Sequence, residues 1–211
     1  MRNGFWSWVI CASSLLAATP AAAQLRLSLG ACGGGHLPSA SLFADGASDG
    51  FATFGHQTGA AFGGRLTAWT NPRLGFEVEG LMAGGGIRYR ASHEGTPLGE
   101  ITREGQLIVG SANLLWAFYK PALEPIALYV SLGAATLQRQ GAFFDDPELS
   151  DATPDLGLVA GLGLRYGVAR GIFLRVDLRN VVSTYQAVER FESRRQHDLF
   201  PTVGLDVSLL R

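Results

Sequence analysis

Apolar residues alternate with small or polar residues in eight stretches of the chain. A period of two places the apolar side chains on one face of a β-strand and the others on the opposite face. Leu128 and Val130, for example, share a face opposite Tyr129 and Ser131. Repeated so often, this pattern is typical of strands that cross a lipid bilayer in a closed sheet. The stretches are residues 25–29, 58–69, 74–82, 106–119, 126–133, 156–168, 172–179 and 202–209.

Short and long connections join these stretches in turn. Three connections are short, at residues 70–73, 120–125 and 169–171, and four are longer, at 33–57, 91–105, 141–154 and 186–198. Bacterial barrels have short periplasmic turns and longer external loops, so both termini are expected in the periplasm. Together the patterns predict an all-β, eight-stranded, antiparallel up-and-down transmembrane β-barrel in the outer membrane.

The third stretch changes phase part of the way along. Phe76 and Val78 share its apolar face, whereas Ile87 and Tyr89, beyond three consecutive glycines at residues 84–86, lie on the alternate positions. A glycine-rich change of phase within a strand predicts a bulge or a kink at this point.

The N-terminal residues have the layout of a secretory signal. Arg2 precedes an apolar stretch at residues 5–18, and small residues at 21–23 suit cleavage before Gln24. We therefore predict a signal peptide at 1–23 and a barrel domain at 24–211. Residues 29–32 also suit a lipoprotein signal ending at Cys32, although Arg26 and Ser28 interrupt its apolar run. After cleavage Cys32 is the only thiol, so no internal disulfide can form.

The sixth and seventh stretches resemble a known closing hairpin. Residues 161–166 read GLGLRY, and residues 173–179, beyond a tight turn, read FLRVDLR. Here the chain resembles the small bacterial outer-membrane β-barrel proteins, the group that includes the transmembrane domain of OmpA and the OmpX/Ail-type adhesins. The resemblance implies insertion by the outer-membrane assembly machinery. It departs at the C-terminus, where such proteins carry an aromatic residue and this chain ends in Leu-Leu-Arg.

Charged residues recur on the face opposite the apolar one. An eight-stranded barrel has an interior about wide enough for side chains to fill it, and a buried charge without a partner is costly. We therefore predict a lumen filled by ion pairs, in which glycines of the sixth stretch leave room for large neighbours. A narrow small-solute channel is the alternative. The lumen candidates are Arg26, Arg65, Glu77, Glu79, Arg165, Arg175, Asp177, Arg179 and Asp206.

Two further groups are predicted to meet the surroundings of the barrel. Aromatic residues beside the short turns suit the membrane interface: Phe76, Trp116, Phe118 and Tyr166. Residues of the long loops suit external contacts: Phe143, Phe144, Arg190, Arg194 and Arg195. We expect lipid at the first group, and lipopolysaccharide phosphates beside the arginines of the last loop. The sequence identifies no extracellular partner.

Composition narrows the functional classes. The net charge is −1, lysine occurs once, and there is no basic stripe for nucleic acid. Ser92, His93 and Glu94 are adjacent, but neighbours in an extended segment point in opposite directions, and no Cys/His spacing indicates a metal site. We predict a non-enzymatic protein without cofactor or metal that has a structural or surface-interaction role. A lipid-A-modifying barrel enzyme and a soluble lipocalin-like barrel, apolar inside and polar outside, are less favoured alternatives.

Overall fold

The computed structural model describes residues 25–39, 43–47, 50–93, 96–122, 124–141, 154–185 and 194–209. Within these residues the chain forms ten β-strands. They are β1 (Arg26–Pro38), β2 (Phe43–Ala47), β3 (Gly50–His56), β4 (Gly59–Trp69), β5 (Leu74–His93), β6 (Thr96–Tyr119), β7 (Ile126–Gln140), β8 (Asp155–Ala169), β9 (Ile172–Tyr185) and β10 (Arg194–Ser208). The described residues contain no helix long and apolar enough to span a membrane.

Eight of the strands close into a ring, and every pairing in it is antiparallel. β1 pairs with both β4 and β10, and the order continues through β9, β8, β7 and β6 until β6 meets β5 beside β4. The predicted eight-stranded barrel is therefore confirmed. β2 and β3 form an additional hairpin, in which β3 pairs with the distal part of β5. This hairpin lies in the first long connection.

The tight turns follow from their residues. In the β4–β5 turn the Asn71 side-chain oxygen accepts hydrogen bonds from the backbone N–H groups of Arg73 and Leu74, both at 2.8 Å. The Asn71 side chain thus takes the place of a backbone carbonyl as the hydrogen-bond acceptor in this turn. In the β8–β9 turn Gly171 has a φ of 81°, a conformation that favours glycine.

The register fixes which face of each strand points outward. Outward-facing apolar side chains are exposed, including Leu29, Phe62 and Val78, whereas Arg65 and Glu77 point inward and are buried. A sheet that is apolar outside and charged inside has the pattern of a transmembrane barrel. It is the reverse of the pattern expected for a soluble lipocalin-like barrel.

The second long connection is shorter than predicted. β5 and β6 continue as a hairpin through residues 91–93 and 96–105, which the sequence pattern assigned to a loop. Across the two strands, Glu100 forms exposed ion pairs with Arg88 at 2.9 Å and with Arg90 at 3.0 Å. Polar residues on both faces hide the period of two, so the hairpin extension could not be read from apolar alternation.

The predicted bulge at residues 84–86 is also wrong. The β5–β6 register runs unbroken there and shifts only between Ala91 and Ser92. Ile87 is buried on the same inward face as Glu77 and Glu79. The inward-facing residues therefore change from charged to apolar along β5, while inward and outward positions continue to alternate. The glycines lie where the partner of β5 changes from β4 to β3. A Cβ at Gly85 would approach the carbonyl oxygen of Gln57 to 2.8 Å.

Candidate functional site

A buried ion-pair network occupies the part of the lumen nearer the tight turns. It contains seven of the nine predicted lumen residues, each at most 4% exposed. They come from four strands, β4, β5, β9 and β10, so the network spans the interior rather than following one strand pair. Its members are Arg65, Glu77, Glu79, Arg175, Asp177, Arg179 and Asp206.

Arg175 is the centre of the network and is fully buried. Its Nη1 donates to Glu77 Oε2 at 2.5 Å and to Asp206 Oδ2 at 3.3 Å. Its Nη2 donates to Asp177 Oδ1 at 3.0 Å and to the Tyr129 hydroxyl at 2.5 Å, and its Nε donates to the same hydroxyl at 2.9 Å. The Tyr129 hydroxyl in turn donates to Asp177. One guanidinium therefore ties together three carboxylates and a phenol, with the charge-assisted geometry that favours arginine at buried sites.

The other two arginines extend the network to either side. Arg65 donates to Asp177 at 2.7 Å and to Asp206 at 2.9 Å. Arg179 donates to Glu77 at 2.7 Å and pairs with Glu79. Each carboxylate thus meets at least one guanidinium, so no carboxylate of the network is buried without a cationic partner.

Inward-facing glycines make room for these large side chains. A Cβ at Gly161 would lie 3.0 Å from Cγ of Arg179, and one at Gly163 would collide with the Tyr129 ring. On β10, a Cβ at Gly204 would lie 2.8 Å from Nη2 of Arg65. The predicted role of the β8 glycines thus agrees with the structure.

An apolar layer fills the lumen beyond the network, away from the tight turns. Leu107, Leu137 and Phe200 are its largest fully buried members. This layer differs from the polar interior that the strand pattern predicts throughout the lumen. The signal was present in runs such as Leu107-Ile108-Val109, where both faces of a strand are apolar. The complete layer is Cys32, Ala61, Leu81, Ala83, Leu107, Val109, Ala135, Leu137, Val159, Val181 and Phe200.

A third, polar layer lies at the end of the lumen farther from the tight turns. His36 Nε2 lies 2.7 Å from Asp198 Oδ1, and its ring stacks on Phe200 with centroids 4.9 Å apart. Arg139 reaches Asp198 at 3.8 Å and also pairs with Asp155. The sequence placed His36 and Asp198 in or beside long loops. The strands β1 and β10 extend far enough to bring both side chains inside the barrel.

Two predicted lumen residues lie outside the network, so their assignment to it is corrected. Arg26 is the first residue of β1 and is exposed. Arg165 lies nearer the tight turns than the carboxylates, with its guanidinium 3.5 Å from the Phe173 ring centroid and 5.5 Å from that of Trp69. Arg165 is therefore held by two aromatic rings.

The predicted contact residues fall into three groups. The four interface aromatics all point outward and are exposed near the tight turns, and the Trp116 and Phe118 rings lie 6.4 Å apart. Arg195 is exposed on β10, and Arg194 is the first residue of that strand. Phe143, Phe144 and Arg190 lie outside the described residues.

The part of the chain that the structure describes includes all four histidines and Cys32. No group of three or more His, Cys, Asp or Glu side chains in that part could hold a metal ion. Ser92 is half-buried, the adjacent His93 is exposed, and Glu94 lies outside the described residues.

Comparisons with known proteins agree with this architecture. The family model "Outer membrane protein beta-barrel domain" matches residues 9–197. Among solved structures, the chain is similar to Neisserial surface protein A, with 13% identity, a TM-score of 0.57, and coverage of 87% of this chain and 97% of that one. It is also similar to OprG from Pseudomonas aeruginosa, with 13% identity, a TM-score of 0.55, and coverage of 87% and 96%. The comparison with curated proteins gives no match.

Proposed function

Because the chain belongs to the outer membrane protein β-barrel domain family, we propose that it is a non-conducting outer-membrane barrel with a structural or surface-interaction role. The observation that carries this proposal is the filled lumen. Ion pairs, an apolar layer and a polar outer layer follow one another along the axis, and Arg175 and Phe200 are both fully buried.

Opening a path through such a lumen would be costly. Removing one partner of a buried ion pair costs about 3–5 kcal/mol. A state in which Arg175 left its carboxylates would then be populated roughly 10²–10⁴-fold less than the closed state. Water would also have to enter the apolar layer. Both the ion-pair network and the apolar layer thus favour the closed form.

A conductance measurement tests this proposal directly. In planar bilayers we expect the purified chain to give no discrete current steps, while a porin reconstituted in the same way gives them. Steps of reproducible size that change with Asp206→Asn would contradict the proposal and establish the small-solute channel instead. Because Asp206 lies inside the network, such a change would identify this lumen as the path.

We further propose that the tight turns and both termini face the periplasm. In a background carrying Cys32→Ala, single cysteines would be placed at Leu98, in the extended β5–β6 hairpin, and at Pro72, in the β4–β5 turn. Both positions are exposed. In intact cells we expect a membrane-impermeant maleimide to label Leu98→Cys alone, and to label Pro72→Cys only after the outer membrane is opened. The opposite pattern would reverse the orientation.

The outer end of the barrel offers the surface for external contacts. Arg103 and Arg195 are exposed there, and Arg88 and Arg90 are exposed beside Glu100. Guanidinium groups match phosphate oxygens well, so lipopolysaccharide phosphates are the partners we propose for this end. Membrane lipid would meet the exposed apolar face, and the assembly machinery of the outer membrane would insert the chain.

A further inference from the structure

A cavity of about 390 Å³ opens at the tight-turn end of the barrel. Four cations line it, Arg26, Lys120, Arg165 and Arg170, and Glu124 is the one acidic residue among its lining residues. Four positive charges and one negative charge leave a formal charge of +3. We call this cavity the turn-end pocket. Its charge is distinct from that of the ion-pair network, where every guanidinium has a carboxylate partner.

The cations of the turn-end pocket are close enough to affect one another. Partial burial lowers the pKa of Lys120, and the positive charges of Arg26 and Arg165 lower it further. Lys120 lies in the β6–β7 connection, and its Nζ donates to the Pro72 carbonyl at 3.2 Å, which leaves two of its N–H donors for another acceptor. An anion in the pocket would relieve the repulsion among these groups.

Arg165 gives the pocket a fixed donor. Its guanidinium lies between Phe173 and Trp69, and the Phe173 ring is also part of the pocket lining. Its Nε is buried and has no hydrogen-bond partner among the described residues. A buried donor without an acceptor costs free energy that a ligand oxygen would recover.

The lining of the turn-end pocket suits a ligand that is larger than a bare ion and partly apolar. Pro125, Ile126 and Ala127 add an apolar wall beside the cations. We propose that the turn-end pocket binds a phosphate group that carries a short organic substituent. Arginine's planar fork matches phosphate oxygens, and several cations favour the higher charge of a phosphate over a single carboxylate. A lipid headgroup and a small soluble phosphate share this chemistry. The proposal does not depend on whether the lumen conducts.

Calorimetric titration in a phosphate-free maltoside detergent tests the site. Inorganic phosphate would be added at constant ionic strength, with chloride as the replaced anion. We expect one saturable site in the unmodified protein and at least about tenfold weaker binding in Arg165→Gln, since the change removes a charged hydrogen-bond donor from the pocket. Arg73→Gln, which removes an exposed arginine of the β4–β5 turn that does not line the pocket, should bind phosphate normally.

A second pocket variant and a competition experiment with lipids make the outcome unambiguous. Lys120→Gln changes an exposed residue outside the strands, so it tests the pocket even if Arg165→Gln fails to fold. Competition by phosphatidylglycerol, but not by diacylglycerol, would identify a lipid headgroup as the source of the phosphate. Phosphate binding without such competition would identify a soluble phosphate. Absence of saturable binding, or equal binding in the unmodified protein and both pocket variants, would overturn the proposal.

Discussion

Replacing Arg175 with methionine is expected to lower the free energy of unfolding by about 3–5 kcal/mol, because the change leaves buried carboxylates without their shared cation. Glu77, Asp177 and Asp206 all accept hydrogen bonds from this one side chain. Methionine keeps much of the volume, so the loss reports on charge rather than on a cavity. Urea titration of the folded protein in detergent micelles, followed by the shift in gel migration between unboiled and boiled samples, measures the change.

Two controls make the Arg175 result specific. Arg103→Met removes an arginine that is exposed on β6 and should stay within about 0.5 kcal/mol of the unmodified protein. The double variant Arg175→Met, Glu77→Gln should lose less than the sum of the single losses, because the two side chains are in contact. Equal losses in Arg175→Met and Arg103→Met would show that the network adds nothing to stability.

Replacing Phe200 with alanine is expected to cost a similar amount, about 3–5 kcal/mol, through the cavity it leaves in the apolar layer. Phe200 is fully buried, and its ring stacks on His36. The same urea titration measures the loss. A large effect would show that this part of the lumen is packed as tightly as the core of a soluble protein.

Phe76→Ala is the matched control for Phe200→Ala. The Phe76 ring is 53% exposed on the outer face, so its removal leaves no enclosed cavity. We expect it to cost well under half of the Phe200 loss. If both variants lost equally little, water rather than packed side chains would fill the part of the lumen around Phe200.

The period of two could be read from the sequence because it depends only on the surroundings of the two faces of the sheet, which are lipid on the outside and the barrel interior on the inside. It assigned Arg65, Glu77 and Arg175 to the interior without any knowledge of their partners. The partners could not be read in this way. Arg65 and Asp177 are 112 residues apart and meet across the lumen from β4 and β9, so their pairing depends on the closed ring rather than on neighbouring strands.

Two features were not predicted from the sequence, the apolar layer of the lumen and the β5–β6 extension, and the physical causes are related. Where both faces of a strand are apolar, as at Leu107 to Val109, the period disappears and the apolar layer is hidden. Where both faces are polar, as along the β5–β6 extension near Glu100, the same loss of period makes a strand resemble a loop. Arg165 faces inward as predicted, but its neighbours there are Trp69 and Phe173, which strand periodicity alone cannot identify.

The position of the ion-pair network also bears on how the chain folds. The network joins residues of β4 and β5 to residues of β9 and β10, and Arg65 and Asp206 are separated by 141 positions. In a partly formed sheet that lacked β9 and β10, the charges of β4 and β5 would lack their ion-pair partners on those two strands. Their stabilisation is gained only when the last strands join the first, which makes closure cooperative and the contact order high, a topology that folds slowly. The network thus stabilises the completed ring relative to a sheet that lacks β9 and β10.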